Sequence, residues 1–174
     1  MSLNDVEAAE TAVNYLLSKG HTRIGTIMKL DDGQGRLRYL GYVQALGAAG
    51  LPVSDSRIVW IDTDDFKQLS LCMDKILARV ANCTALLCYN DQVAFQLIHL
   101  LKERNIRVPE DLSVIGYDNG NLCLATEPEL TSVDNKLPAI CDHIVTTMMG
   151  VLDGKEMPQK TVFTGELIKR ASTK

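Results

Sequence analysis

The sequence TALLCYNDQVAFQLIHLLKERNIRVPEDLSVIGYDN, residues 84–119, decides the fold class of this chain. It holds two short apolar segments, 84–88 and 112–117, and each of them runs directly into polar residues. Between them, residues 91–104 show the periodicity of an amphipathic helix. Its apolar side is formed by Ala94, Leu97, Ile98 and Leu101. A strand, a helix and a second strand of these lengths predict one right-handed βαβ unit of a parallel sheet.

The same alternation of strand and helix covers the preceding residues. The four predicted strands start at residues 23, 57, 84 and 112, and spacings of about 30 residues suit βαβ units. Their apolar runs are nearly continuous, as expected for strands that are buried on both faces. The fold class is therefore α/β, a three-layer αβα sandwich around an open parallel sheet, as in a Rossmann-like lobe. The helix between the first two strands is predicted at 36–49, and the expected caps of its neighbours are Asn4 or Asp5 and Asp64 or Asp65.

The pattern changes after residue 118. Residues 119–129 are expected to be irregular, and a short strand is predicted at 130–133. A helix at 137–153 follows, with Ile140, Ile144, Met148 and Leu152 at intervals of four. The remaining residues predict a final extended element around 161–168.

Composition excludes several classes of function. The 174 residues include 18 Lys and Arg against 22 Asp and Glu, a net charge of −4, which argues against a nucleic-acid surface in this segment. No apolar run reaches the roughly 18 residues of a membrane span, and the first ten residues lack the features of a signal peptide. The five cysteines form no CxxC pair and the three histidines are scattered. We therefore expect reduced thiols and no metal site.

Polar residues cluster where the third and fourth strands end. Asn90 and Asp91 follow one strand and Asp118 closes the next. Each has an ordinary structural explanation, because Asn90 or Asp91 can cap a helix and Asp118 can form a turn with Asn119. Carboxyl ends of parallel strands are also where α/β proteins bind ligands. Asn offers both a donor and an acceptor, which suits a sugar hydroxyl.

A third polar segment, DDGQG at residues 31–35, lies at the end of the first predicted strand. Its glycines fit neither GxGxxG nor a Walker loop, and its two carboxylates would repel phosphate. Nucleotide binding is therefore a poor interpretation. Arg36 and Arg38 follow in the next helix; either could be a solvated charge, or could form forked hydrogen bonds in a cleft. No nucleophile elbow, metal-ligand pair or Cys/His arrangement is present, so we expect no catalytic residue and no cofactor.

Several ordered motifs resemble the effector-binding region of LacI/GalR-type bacterial transcription regulators. They are LLSKGHTRIGTI (16–27), RYLGY (38–42), LLCYNDQVA (86–94), VPEDLSVIGYDN (108–119), LTSVDN (130–135) and ELIKRAST (166–173). Together they cover nearly the whole chain in the family's order. DDGQG together with LLCYND resembles the arabinose-responsive repressors in particular.

The resemblance implies a periplasmic binding protein-like I fold with two α/β lobes around a ligand cleft. Residues 4–129 plus 161–172 would form the C-terminal effector-binding lobe. Residues 130–160 would cross back to an N-terminal lobe, which the family forms from roughly a hundred further residues before the helix that starts here. Those residues are absent from this chain, so the resemblance implies a fragment or a truncated product with weakened or absent sugar binding.

The resemblance also assigns roles to residues. Arg38, Asn90 and Asp118 match the family's ligand-binding motifs and would bind effector hydroxyls. Asp32 and Gln34 are weaker candidates, because they lie in a loop that varies within the family. Arg36 matches less well, since only Arg38 stands at the right distance from the Gly-aromatic pair.

The function implied is effector binding and dimerisation in a cytoplasmic, sugar-responsive repressor. A pentose or hexose would be the effector, operator DNA would be bound through an N-terminal module outside this chain, and a homodimer and no membrane partner are expected. One alternative is a periplasmic or lipid-anchored sugar-binding protein of a transporter or sensor, which shares the fold. Five thiols and the ELIKRAST ending favour the regulator. A second alternative is an enzyme of the doubly wound class.

Overall fold

The computed structural model describes residues 2–67, 69–158 and 160–174. The sixteen elements found there include one 3₁₀ turn, Asp55–Arg57. The helices are α1 (Asp5–Ser18), α2 (Gly33–Ala48), α3 (Thr63–Lys67), α4 (Leu69–Val80), α5 (Asp91–Glu103), α6 (Leu122–Ala125) and α7 (Leu137–Leu152). The strands are β1 (Ser2–Leu3), β2 (Ile24–Lys29), β3 (Ile58–Ile61), β4 (Ala85–Cys88), β5 (Ser113–Asp118), β6 (Thr131–Asp134), β7 (Val162–Phe163) and β8 (Glu166–Ile168).

Six strands form the main sheet, in the order β3-β2-β4-β5-β6-β8. All neighbours are parallel except β6 and β8, which are antiparallel. β1 and β7 form a separate two-stranded sheet. The predicted α/β class and mostly parallel sheet are confirmed, with the antiparallel strand β8 added at one edge.

Helices cover both faces of this sheet. α1 packs on α2, and α4 packs on α5. The first five residues of β5 are buried, as a strand must be when helices lie on both of its faces. Gly41 allows α1 and α2 to approach closely, because a Cβ there would lie 2.2 Å from the carbonyl oxygen of Val6.

Two helix starts differ from the prediction. α2 begins at Gly33 rather than near residue 36, because the Asp32 side chain caps it by accepting a hydrogen bond from the Gly35 amide. Asp62, not Asp64 or Asp65, caps α3: its Oδ1 accepts from the amides of both of those residues at 2.8 Å. The segment predicted to be irregular, 119–129, contains the one-turn helix α6.

The strand β6 lies inside the main sheet, between β5 and β8. The segment expected to cross to a second lobe, residues 130–160, therefore begins with a strand of this sheet. The helix α7, which follows β6, is apolar and largely exposed, and Gly150 is its one buried residue. Over the described residues, no helix has the length and apolar character needed to cross a bilayer.

Candidate functional site

The strand order places a crevice at one edge of the sheet. After β2 the chain turns to β3 on one side, and it then returns to β4 on the other side of β2. The helices that follow β2 and β4 therefore diverge, and ligands of α/β proteins bind at such a switch point, beyond the carboxyl ends of the strands. Four parallel strands, β2, β4, β5 and β6, end at this edge. Their last residues are Lys29, Cys88, Asp118 and Asp134.

Asp118 presents a carboxylate at this edge. Its side chain is 41% exposed, and its backbone has φ 106°. Oδ1 accepts a hydrogen bond of 2.8 Å from the side-chain amide of Asn135, at the end of β6. Partial burial raises the pKa of Asp118, and the charge of Arg38 opposes that rise. The remaining oxygen is available as an acceptor for a ligand hydroxyl.

Arg38 lies behind Asp118 rather than in the open crevice. Its side chain is 2% exposed, and its Nε donates to Asp5 Oδ1 at 2.9 Å, while Nη1 donates to the Tyr89 carbonyl. The guanidinium carbon lies 3.6 Å from the centre of the Tyr117 ring, and Nη2 lies 3.8 Å from Asp118 Oδ1. In this structure Arg38 thus lies beside the Asp118 carboxylate, and its direct contact with a ligand stays a prediction.

The Tyr89 ring lies near Arg38, and Asp32 binds the Tyr89 hydroxyl. The Tyr89 ring centre lies 5.0 Å from the guanidinium carbon, and its hydroxyl donates to Asp32 Oδ2. Asp32 Oδ1 is already occupied by the Gly35 amide at 2.6 Å. Burial and the Asp32 carboxylate together raise the pKa of Tyr89, so the phenol remains a donor. Asp32 holds an aromatic side chain in place, in addition to capping α2.

The other two predicted residues remain accessible. Asn90 caps α5 by accepting from the Val93 amide at 3.0 Å through Oδ1. Its side-chain nitrogen makes no hydrogen bond with any residue that the structure describes, and the side chain is half-buried at the crevice. Gln34 is exposed in the first turn of α2. The structure thus brings Asn90 and Asp118 to one edge, with Gln34 and Asp32 on the β2 side of it.

Sequence reasoning missed three residues of this arrangement. Asn4 or Asp5 was expected as the cap of α1, and Asn4 takes that role, whereas Asp5 is 4% exposed and accepts a hydrogen bond from Arg38. Asn135 and Tyr89 appeared only as parts of longer motifs. A signal existed for Asn135, since it follows a strand end as Asn90 and Asp118 do. No local pattern could have paired Asp5 with Arg38, which is 33 residues away.

Chemically, the site offers hydrogen-bond groups and one exposed carboxylate. In the parts of the chain that the structure covers, no group of three His, Cys, Asp or Glu side chains could hold a metal ion. The arrangement suits recognition of a small molecule that carries several hydroxyls.

A family described as periplasmic binding protein-like domain matches residues 13–173 of this chain. Among curated proteins, an HTH-type transcriptional regulator from Lachnoclostridium phytofermentans is 29% identical over 98% of this chain and 51% of its own length. The arabinose metabolism transcriptional repressor of Halalkalibacterium halodurans is 34% identical over 78% of this chain and 36% of its own length. The regulator GalR of Escherichia coli is 31% identical over 99% and 50%.

Solved structures agree with these relatives. A sugar-binding transcriptional regulator of the LacI family from Escherichia coli, in complex with phosphate, superposes with a TM-score of 0.88 at 28% identity, over 98% of this chain and 61% of that one. The regulator CelR in complex with cellobiose gives a TM-score of 0.87 at 26% identity, over 98% and 52%. The chain spans about half of the length of two of these curated relatives and 36% of the third.

Proposed function

The chain belongs to the periplasmic binding protein-like domain family, with LacI/GalR-type regulators as homologues, and from that premise we propose that it is the effector-binding and dimerisation segment of a sugar-responsive transcription repressor. The observation that carries the proposal is the meeting of Asn90, Asp118 and Asn135 at the switch-point edge of the sheet. Several polar groups that converge at such an edge are typical of a small-molecule site.

Each residue has a role in the proposed site. Asp118 and the free amide of Asn90 bind effector hydroxyls, and Asn135 holds one oxygen of Asp118. Arg38, whose Nη2 lies 3.8 Å from Asp118 Oδ1, is the third proposed contact of the effector and also orients that carboxylate. Asp32 holds the Tyr89 ring at the mouth of the crevice, and exposed Gln34 is the outermost candidate.

The facing half of the site belongs, in this proposal, to a second lobe in a protein of its relatives' length. Support comes from α7, whose apolar side chains are exposed: Leu152 is 78% and Met148 61% accessible. Isolated soluble domains rarely expose such a continuous apolar face, so another surface covers it. Residues 135–160 would then be the part that crosses to that lobe, where sugar binding biases the arrangement of the two lobes.

The DNA-binding and dimeric properties also belong to the longer protein. The net charge of −4 supports operator recognition by a separate module rather than by this chain. A homodimer suits the two-fold symmetry of operators. Leu71 on α4 and Leu124 on α6 are 75% and 64% accessible and are candidate residues for the dimer contact. Such a regulator acts in the cytoplasm, binds its effector without turnover, and has no membrane partner.

The sugar class can be tested by thermal-shift screening of pentoses and hexoses against a protein of regulator length that contains this chain. A ligand that binds only the folded state raises its stability by about 2.7 kcal/mol at a concentration of 100 times its Kd. We expect a monosaccharide, with L-arabinose as the first candidate because of the arabinose repressor relative, to raise the melting temperature by several degrees. The recovered sugar should be chemically unchanged. No shift with any sugar, or conversion of the sugar, would contradict the proposal.

A further inference from the structure

Asp91 is a buried carboxylate next to the candidate site. It is the first residue of α5 and is 3% exposed. Its Oδ2 accepts from the Gly120 amide at 2.8 Å and from the Cys123 thiol at 3.1 Å, and its Oδ1 accepts from the Ser132 hydroxyl at 2.5 Å. A buried carboxylate is costly unless its oxygens are satisfied. These three donors satisfy both oxygens, and the charge of Arg170 also favours the ionised carboxylate by lowering the pKa of Asp91.

Gly120, whose amide Asp91 binds, directly follows two residues with a strained backbone. Asp118 has φ 106° and Asn119 has φ 50°, and positive φ is uncommon for residues other than glycine. Such conformations cost on the order of 1–3 kcal/mol each, and they persist only where the surroundings fix them. Without fixed neighbours, the backbone at Asp118 would relax toward negative φ, and its carboxylate would leave its place beside Asn135 and Arg38.

The contacts of Asp91 account for that constraint. The Gly120 amide, directly after the two strained residues, is bound to Asp91. The Ser132 hydroxyl that donates to Asp91 also accepts from the Asn119 amide at 3.1 Å. Arg170 adds a third attachment through the side chain of Asn119 at 2.7 Å.

The sheet is built to let Asp91 reach this position. A Cβ at Gly116 would lie 2.3 Å from Asp91 Oδ1, so the strand that carries Asp118 needs glycine where the carboxylate passes. Burial raises the pKa of Asp91, while the donors from Ser132, Cys123 and Gly120 lower it. An asparagine in its place would put an NH₂ group against donors on one side, leaving a buried hydrogen bond unmade.

From these contacts we propose that Asp91 is a positioning residue of the effector site, which holds the 118–120 turn so that the Asp118 carboxylate faces the ligand. The identity of the ligand rests on the proposed function, whereas the effect of Asp91 on the 118–120 turn needs no ligand. Asp91 acts through Asp118, so its effect on affinity should vanish when the Asp118 carboxylate is absent.

A double-mutant cycle tests this coupling in the longer protein, with L-arabinose titrated by calorimetry into Asp91→Asn, Asp118→Asn and the double variant. We expect Asp91→Asn to weaken binding at least tenfold alone, and less than twofold in the Asp118→Asn background. Thr26→Val removes a buried hydrogen bond of 2.9 Å from Thr26 on β2 to the carbonyl of Leu87 on β4, touches neither Asp91 nor Asp118, and should change affinity less than twofold. Equal weakening by Asp91→Asn in both backgrounds would overturn the proposal.

A ligand-free measurement separates this inference from the function. Amide hydrogen exchange of Gly120 in this chain should speed up at least tenfold in Asp91→Asn, while the exchange of Leu87 in the core changes less than twofold. Ser132→Ala keeps the Asp91 carboxylate but frees the Asn119 amide, so it should speed up exchange at Asn119. This variant replaces Asp91→Asn in the test if Asp91→Asn does not fold. If exchange at Gly120 speeds up in Asp91→Asn but the unmodified longer protein binds no sugar, the proposed function is refuted and the positioning role is not. Unchanged exchange at both amides would refute the positioning role.

Discussion

At the scale of residues, the buried cation Arg38 connects the candidate site to the core. Arg38 contacts Asp5 on α1, the Tyr89 carbonyl after β4 and the Tyr117 ring on β5. It therefore joins the helical layer to the two strands whose ends carry Asn90 and Asp118. A buried guanidinium of this kind needs every partner, because the cost of an unpaired buried charge is high.

Substitution of Asp5 tests this role. Asp5→Ala leaves Arg38 buried without its carboxylate, and breaking a buried pair by removal of one partner costs about 3–5 kcal/mol. We expect the free energy of unfolding, measured by urea denaturation, to fall by about 3 kcal/mol. Glu7→Ala, on the same helix but exposed and bonded to the Asn4 side chain, should cost less than about 1 kcal/mol. If the two variants lose similar amounts of unfolding free energy, the buried pair of Asp5 and Arg38 does not stabilise the fold as described.

The residue scale is also where the sequence predicted least. Asn90 and Asp118 could be found because strand ends in a parallel sheet converge, and this requires only periodicity and order along the chain. The burial of Arg38 required knowing that Asp5, which lies 33 positions earlier, points inward. The engagement of Asp32 by Tyr89 depends similarly on side chains 57 positions apart. Tertiary contacts of this kind leave no local pattern.

At the scale of elements, the periodicity of apolar residues predicted every long helix and the strands β2, β3, β4 and β5. The short strand β6 was predicted too, but its place between β5 and β8 was not, because a strand of four residues pairs according to its neighbours rather than its own sequence. It also missed the first turn of α2, where Asp32 extends the helix over two glycines. The helix α7 was predicted correctly, yet its apolar residues face solvent, which periodicity alone cannot reveal.

The exposed stripe on α7 leads to a prediction for that helix. Val145 and Met149 are one turn apart, and 60% and 55% exposed. In this chain, Val145→Glu with Met149→Lys should change the free energy of unfolding by less than about 0.5 kcal/mol, as exposed substitutions do, and should lower binding of a hydrophobic dye. In a protein of its relatives' length, the same pair should destabilise by at least about 2 kcal/mol, because it places charges in a covered surface.

A matched pair on the same helix provides the control. Asp142→Lys with Thr146→Glu places similar charges at exposed positions that are already polar, and should leave both dye binding and the stability of the longer protein nearly unchanged. If the Val145 and Met149 pair has no effect in the longer protein, α7 is not covered there and the two-lobe proposal loses its support.

At the scale of the whole molecule, the chain is one α/β lobe with a polar edge and an apolar helix beside it. The family match fixes the fold, and the relatives that share it are about twice as long as this chain. The edge that carries Asn90 and Asp118 is the proposed sugar site of a regulator. A sugar site is defined by affinity, so a binding measurement on a protein of that length tests it better than any measure of stability.

Calorimetric titration of L-arabinose into that longer protein is the most direct test, with Asp118→Asn compared against Asp55→Asn. Asp118 lies at the carboxyl edge of the sheet, whereas Asp55 precedes β3 at the opposite edge. Loss of a charged hydrogen-bond partner costs about 1.5–3 kcal/mol, so Asp118→Asn should weaken binding by a factor of about 10 to 150, while Asp55→Asn leaves it within twofold. Unchanged affinity in Asp118→Asn would contradict the account of the site.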